Sequence, residues 1–176
     1  MHASNPSATS SRETVCRELT VLLPDLRGYA RFLVRDRAGA DDLVQDTLVK
    51  ALAALSQFQP GSNLKAWLFV ILRNTFYEQG RRARRERAAL HQRFDGEEAE
   101  APRQVSRGDV ADLQRLLWTL PPLLREAIIL VGAQELSYEE AARICTVPVG
   151  TMKARVSRAR ARLAGSMSGT DEPSER

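Results

Sequence analysis

The chain has 176 residues, 26 Lys and Arg against 22 Asp and Glu, and a net charge of +4, so its basicity has to be judged by where it lies. That length buries one sizeable core or two small ones, and no apolar run approaches the roughly 20 residues needed to span a bilayer. Two distant cysteines, Cys16 and Cys145, with only His2 and His91 as imidazoles, argue against a structural zinc site, and nothing in them suggests an oxidising compartment.

The first residues, MHASNPSATSSRET, lack the apolar centre of a secretion signal, which points to the cytoplasm; residues 1–14 are expected to be disordered. From Val15 the pattern VCRELTVLLPDLRGYARFLV predicts two helical pieces broken near Pro24. Its core candidates are Leu19, Leu22, Leu23, Leu26, Tyr29, Phe32 and Leu33. Residues 36–40 read as a turn, after which DDLVQDTLVKALAALSQF runs as a helix. At about 100° per residue, Val44, Leu48, Ala51, Leu52 and Leu55 form one stripe, and Asp42, Gln45, Asp46, Val49 and Ala53 lie opposite. An acidic face with an apolar residue in its middle reads either as a solvated surface or as a docking face.

The QFQPGSN segment is loop chemistry. It opens into LKAWLFVILRNTFYEQGRRARRER, the most aromatic and then the most basic stretch of the chain. Leu64, Leu68, Ile71, Leu72 and Thr75 make its inward side, Trp67, Asn74 and Arg81 an edge, and Val70, Arg73 and Tyr77 its outer side. Cations that track phosphates, beside aromatic and amide groups that stack on or bond to unpaired bases, suit single-stranded nucleic acid. Residues 86–108 turn from basic to acidic at Glu97, Glu98 and Glu100 and read as a flexible linker.

Val110, Leu113, Leu116, Leu117 and Leu120 fit the next helix, which Pro121 and Pro122 stop, and residues 123–131 form another. Ser137 stands three residues before Glu140, a capping-box spacing that starts a short helix holding Ala141, Ala142 and Ile144. Thr146-Val147-Pro148 breaks it. A second helix follows with Met152, Val156, Ala159 and Leu163 inward, so that Lys153, Ala154, Ser157, Arg158 and Ala161 face outward. Arg155 and Arg162 flank that face on one edge and Arg160 on the other; Thr151, near the helix start, can bond a phosphate or cap. Small residues between long cations let a helix sit deep in a major groove. No GxxxxGK loop and no Ser/His/Asp or Cys/His set is placed for catalysis.

In the order DDLVQDTLVKALAAL, NLKAWLFVILRN and LSYEEAARICTVPVGTMKARVSRARARL, the chain resembles the extracytoplasmic-function (ECF) sigma factors, bacterial transcription initiation factors, over residues 19–85 and 109–163. LVGAQELSYEEAA and FQPGSNLKAWLFVILRNTFY are similar to the alphaproteobacterial general-stress-response subgroup. The resemblance implies an all-α fold of two small helical domains: a region 2 bundle over residues 15–85 and a region 4 helix-turn-helix over residues 109–165. The linker at 86–108 joins them, and residues 1–14 and 166–176 are tails.

It also implies roles. Asp42, Gln45, Asp46 and Val49 would dock on the clamp-helix coiled coil of core RNA polymerase. Phe58, Ser62, Asn63, Leu64, Lys65 and Trp67, with Arg73, Asn74, Tyr77, Arg81 and Arg82, would take the melted −10 element, including a flipped base. Thr151, Lys153, Ala154, Arg155, Ser157, Arg158 and Arg162 would read the −35 duplex, and the acidic linker would lie in the RNA-exit path. The implied partners are core polymerase, promoter DNA and an anti-sigma factor similar to NepR, with no cofactor, metal, membrane or small-molecule substrate and no enzymatic activity. Ala154 departs from the usual Ser, and Thr146 from a common Gly at a turn where a left-handed residue is strained. The competing readings are a sigma-like mimic that binds an anti-sigma factor without DNA, and a dimeric helix-turn-helix repressor.

Overall fold

Helix α1 (Pro6–Leu33) runs unbroken through Pro24, where the sequence predicted a break. A proline in a helix interior costs about 3 kcal/mol, but Leu19 on one side of it and Leu26, Tyr29 and Ala30 on the other are all buried in one core. At roughly 1.5–3 kcal/mol for each large apolar side chain, keeping both halves of the helix on that core outweighs the lost hydrogen bond. The same helix reaches back to Pro6, so residues 6–14 are helical rather than disordered; a proline in the first turn has no amide to leave unsatisfied. The computed structural model describes residues 6–34, 36–91 and 109–168. Most of the expected linker, with Glu97, Glu98 and Glu100, and the ends of both tails lie outside them.

Helix α2 (Arg37–Ala53) begins three residues before the predicted end of the turn. Asp36 caps it, its carboxylate accepting from the Gly39 amide at 2.6 Å. A Cβ on Gly39 would lie 2.8 Å from that carboxylate, so a side chain there would push the cap aside. The buried stripe is Ala40, Leu43, Val44, Thr47 and Ala51, rotated from the expected one: Leu43 and Thr47 replace Leu48 and Leu55, which are half-buried, while Leu52 is exposed. Thr47 satisfies its buried hydroxyl by donating to the Leu43 carbonyl at 2.7 Å. A short 3₁₀ turn (Leu55–Gln57) leads to the loop before α3 (Leu64–His91), which extends past the expected domain edge. Leu64, Leu68, Leu72 and Thr75 are buried as predicted; Ile71 is only half-buried, and Phe69, unforeseen, is fully buried. Phe69 stacks on Tyr29 with ring centroids 4.8 Å apart.

In the second half, α4 (Asp109–Thr119) precedes α5 (Pro122–Ile128), which widens into a π-helical turn at Ile129–Ala133. Helices α6 (Tyr138–Cys145) and α7 (Val149–Ser168) follow. Among the described residues the secondary structure is entirely helical, without a strand. No described helix is long and apolar enough to cross a membrane. The buried side chains of α1, α2 and α3 are continuous with Ala127, Ile129, Leu130, Ile144, Met152 and Val156 of the second half. A small satellite of Leu117, Leu120 and Ala159 packs α4 on α7.

Candidate nucleic-acid interface

The helix-turn-helix forms as its local chemistry dictates. The Ser137 hydroxyl accepts from the Glu140 amide at 3.1 Å, and the Glu140 carboxylate accepts from the Ser137 amide at 2.9 Å, a complete capping box. Thr146 closes α6 in the left-handed region, at φ 55°, and its amide still donates back to Arg143. Met152, Val156 and Ala159 face inward and are buried, and Leu163 is half-buried. Lys153, Ala154, Ser157, Arg158, Ala161 and Arg162 are exposed on α7, with Thr151 and Arg155 half-buried at its margin. Arg158 lies along the helix, its Nε donating to the Ala154 carbonyl at 3.3 Å, and Lys153 sits 5.8 Å from the centre of the Tyr138 ring. The whole predicted duplex-reading set therefore shares one helix surface.

Glu140 has a second partner outside the box, the side-chain amide of Asn63. Hydrogen bonding by the Ser137 amide first, then by Asn63, holds its carboxyl below the usual glutamate range despite partial burial. A folded-state value below the unfolded one stabilises the fold above the unfolded carboxylate range, and the benefit disappears as pH falls through the folded value. Glu140→Gln, which keeps the capping geometry, is expected to narrow the loss of thermal stability between neutral and acid pH. A stability profile against pH parallel to the parent's would refute this.

The loop of the other predicted set is held by its own side chains. Ser62 donates to the Gln59 carbonyl at 2.7 Å, and Asn63 Oδ1 caps α3 by accepting from the Ala66 amide at 3.0 Å. Gly61, at φ 87°, makes a turn that a side chain would strain. Phe58 and Trp67 pack together at 5.3 Å between centroids. Lys65 pairs with Asp25 at 2.9 Å. Asn74, Arg81 and Arg82 are exposed on α3, Arg82 bonding Glu86 at 2.7 Å.

The expected outer side of α3 is not outside. Arg73 is 14% exposed, and its Nε donates to Oε1 of Glu126, itself 3% exposed, at 2.8 Å. Tyr29 donates its hydroxyl to the same oxygen at 2.9 Å, and Arg73 lies 4.6 Å over the Tyr77 ring. Burial opposes the charge on Arg73, but Glu126 more than compensates and raises its pKa. Desolvation first, then the Glu126 charge, raises Tyr29 well above the usual tyrosine value. The same two causes push the Cys145 thiol up to about 12, which keeps it a neutral, unreactive thiol. Glu126 and Arg125, both buried, were missed from the sequence. Their signal was the REA interruption of the apolar run LPPLLREAIIL: charged groups there are buried only if they are paired. Arg125 stacks over Trp118 at 3.6 Å.

On α2, Asp42, Gln45, Asp46 and Val49 are all exposed on one face, Val49 to 67% and its neighbour Leu52 to 41%. Asp46 accepts from Gln79 of α3 at 2.8 Å, which steadies one carboxylate of that face.

Models of Sigma-70 region 2 and of Sigma-70 region 4 match residues 20–86 and 111–163. The chain is 45% identical over 146 residues to the ECF RNA polymerase sigma factor EcfG of Rhodopseudomonas palustris, covering 83% of this chain and 81% of that protein. The sigma factor RpoE, solved in complex with the anti-sigma factor NepR from Bartonella quintana, superposes with a TM-score of 0.74 at 46% identity, over 91% of this chain and 99% of that one. CnrH, solved with the cytosolic domain of CnrY, gives a TM-score of 0.64 at 27% identity, over 94% of this chain and 96% of that one.

Proposed function

The chain belongs to the ECF family of RNA polymerase sigma factors, and from that premise we propose how its surfaces divide the work of starting transcription. A sigma factor binds core polymerase and brings it to promoters. In this chain α7 reads the −35 element as duplex: Lys153, Ser157 and Arg158 face the major groove, while Arg155 and Arg162 hold phosphates on its flank. Phe58, Ser62, Asn63 and Leu64 line the loop that takes a flipped −10 base, and Arg73, Asn74, Tyr77, Arg81 and Arg82 guide the melted strand. The acidic face of α2 docks on the polymerase clamp. Bond formation is left to the polymerase, and the factor works in the cytoplasm.

The observation that carries this reading is the exposed α7 face, where small and cationic side chains alternate beyond a short helix α6 capped at both ends. A mimic that only captured an anti-sigma factor would have no use for Lys153, Arg158 and Arg162 there. The likeness to EcfG and to the factor solved with NepR supports a place in a stress response under an anti-sigma factor of the NepR kind.

Run-off transcription with core polymerase on genomic fragments tests the assignment: discrete promoter-specific transcripts are expected, and tight anti-sigma binding without transcripts would favour the mimic. Arg158→Ala is expected to lose about 1–3 kcal/mol of discrimination at one base pair of the −35 element. Equal weakening on every duplex would make Arg158 a phosphate contact instead.

A further inference from the structure

Phe32 and Leu33 of α1, Phe76 and Tyr77 of α3, Pro122 of α5 and Ile129 at the start of the π-helical turn surround a cavity of about 160 Å³. The charged groups on its wall are already engaged. Glu126 accepts from Tyr29 and Arg73, and Arg125 lies with its guanidinium 3.6 Å over the Trp118 ring. A buried water needs about 2–4 polar partners, whereas the rest of this wall is aliphatic or aromatic, so the space suits an apolar guest. An apolar cavity of about 150 Å³ takes a benzene-sized ligand, and this one has nearly the same volume.

The wall selects for shape and charge as well as size. Phe76 and Tyr77 meet edge to face with centroids 5.2 Å apart, and with Phe32 they offer ring faces and edges to a planar guest. Pairs of that geometry are worth more than the area they bury. An anionic guest would have to draw Arg125 off Trp118, and a cationic one would have to compete with Arg73 for Glu126, each after losing its own hydration. A neutral ring meets neither cost. The backbone is also irregular at this point, since Ile129 opens the π-helical turn, a form found frequently at functional sites.

We infer that this cavity is a ligand site for a neutral, single-ring aromatic molecule. Left empty, it forfeits packing between α1, α3 and α5, and an aromatic ring restores those contacts. Because the walls come from both halves of the chain, the occupant bridges them. A ligand held by the folded chain alone stabilises it by mass action.

The test titrates the full chain with fluorobenzene, followed by fluorine NMR and by thermal unfolding. A saturable shift or broadening of the ligand resonance is expected, and at about ten times the dissociation constant the folded-to-unfolded ratio rises about elevenfold. Leu33→Phe places a ring of the chain's own in the space and is expected to weaken binding about tenfold or more. Nuclear Overhauser contacts from the ligand protons to the Phe32 and Phe76 rings locate the ligand in the parent chain, and that arm holds even if Leu33→Phe loses helix content by circular dichroism. Benzoate, the same ring with a carboxylate, is expected neither to bind nor to displace fluorobenzene. The absence of any saturable change in the parent up to the solubility of fluorobenzene overturns the site. Equal affinity in a folded Leu33→Phe variant, or contacts only to rings elsewhere, places the ligand outside the cavity and overturns it too. Benzoate binding as tightly as fluorobenzene refutes the neutral class of ligand.

Discussion

Tyr29→Ala is expected to lower the stability of the chain by about 3–5 kcal/mol. The side chain is fully buried and stacks on Phe69 with the rings nearly parallel, 12° apart, so its removal leaves a cavity bounded by rigid helices. Its hydroxyl also donates to Glu126, as Arg73 does. Tyr29→Phe keeps the ring and isolates the hydroxyl: with Arg73 still in place, the expected loss is about 1–3 kcal/mol, the range for leaving a buried polar group short of a partner. Urea unfolding followed by circular dichroism measures both. A Phe variant as unstable as the Ala variant would mean that the hydroxyl, not the ring, carries the site.

The fold was legible wherever local chemistry and burial agree. The Ser137 and Glu140 box, the stop at Pro121, and the inward row Met152, Val156, Ala159 follow from spacing alone, and the structure shows each of them. Pro24 misled because the cost of one proline is local, while the burial that overrides it comes from α2 and α3. The stripe of α2 rotated for a similar reason. Thr47 turns inward by bonding its own helix, an option that ranking residues by hydrophobicity does not register.

The candidate site was legible residue by residue but not in its arrangement. A helical wheel shows that Arg73 and Tyr77 share a side of α3, yet cannot say whether solvent or another part of the chain covers it. The partner of Arg73 lies 53 residues away, on the far side of the linker. Glu126 drew no role from the sequence; in the structure it is buried and accepts from Tyr29 and Arg73 of the other half. On α7 the wheel did give the arrangement: Lys153, Ser157 and Arg158 are exposed on the side away from the buried Met152, Val156 and Ala159.

Asp42→Lys with Asp46→Lys is expected to abolish productive binding to core polymerase while leaving the fold intact. Both residues are exposed on α2. Within the chain the double reversal breaks the Asp46 to Gln79 hydrogen bond at 2.8 Å, worth about 0.5–1.5 kcal/mol, so thermal unfolding should shift little. If the face docks on the polymerase as proposed, attractive pairs there become like-charge pairs. Such juxtapositions cost several kcal/mol, and at about 1.4 kcal/mol per tenfold the affinity should fall by a factor on the order of a hundred or more. The effect should shrink as salt rises, because the Debye length falls from about 10 Å at 0.1 M to about 3 Å at 1 M. Val49→Ala is expected to weaken binding independently of salt, since its contribution is apolar burial at the centre of the face. Anisotropy titrations of the labelled chain with core polymerase at two ionic strengths separate the two terms. Full affinity in the doubly reversed variant would return the acidic face of α2 to solvent and leave Val49 and Leu52 exposed without a reason.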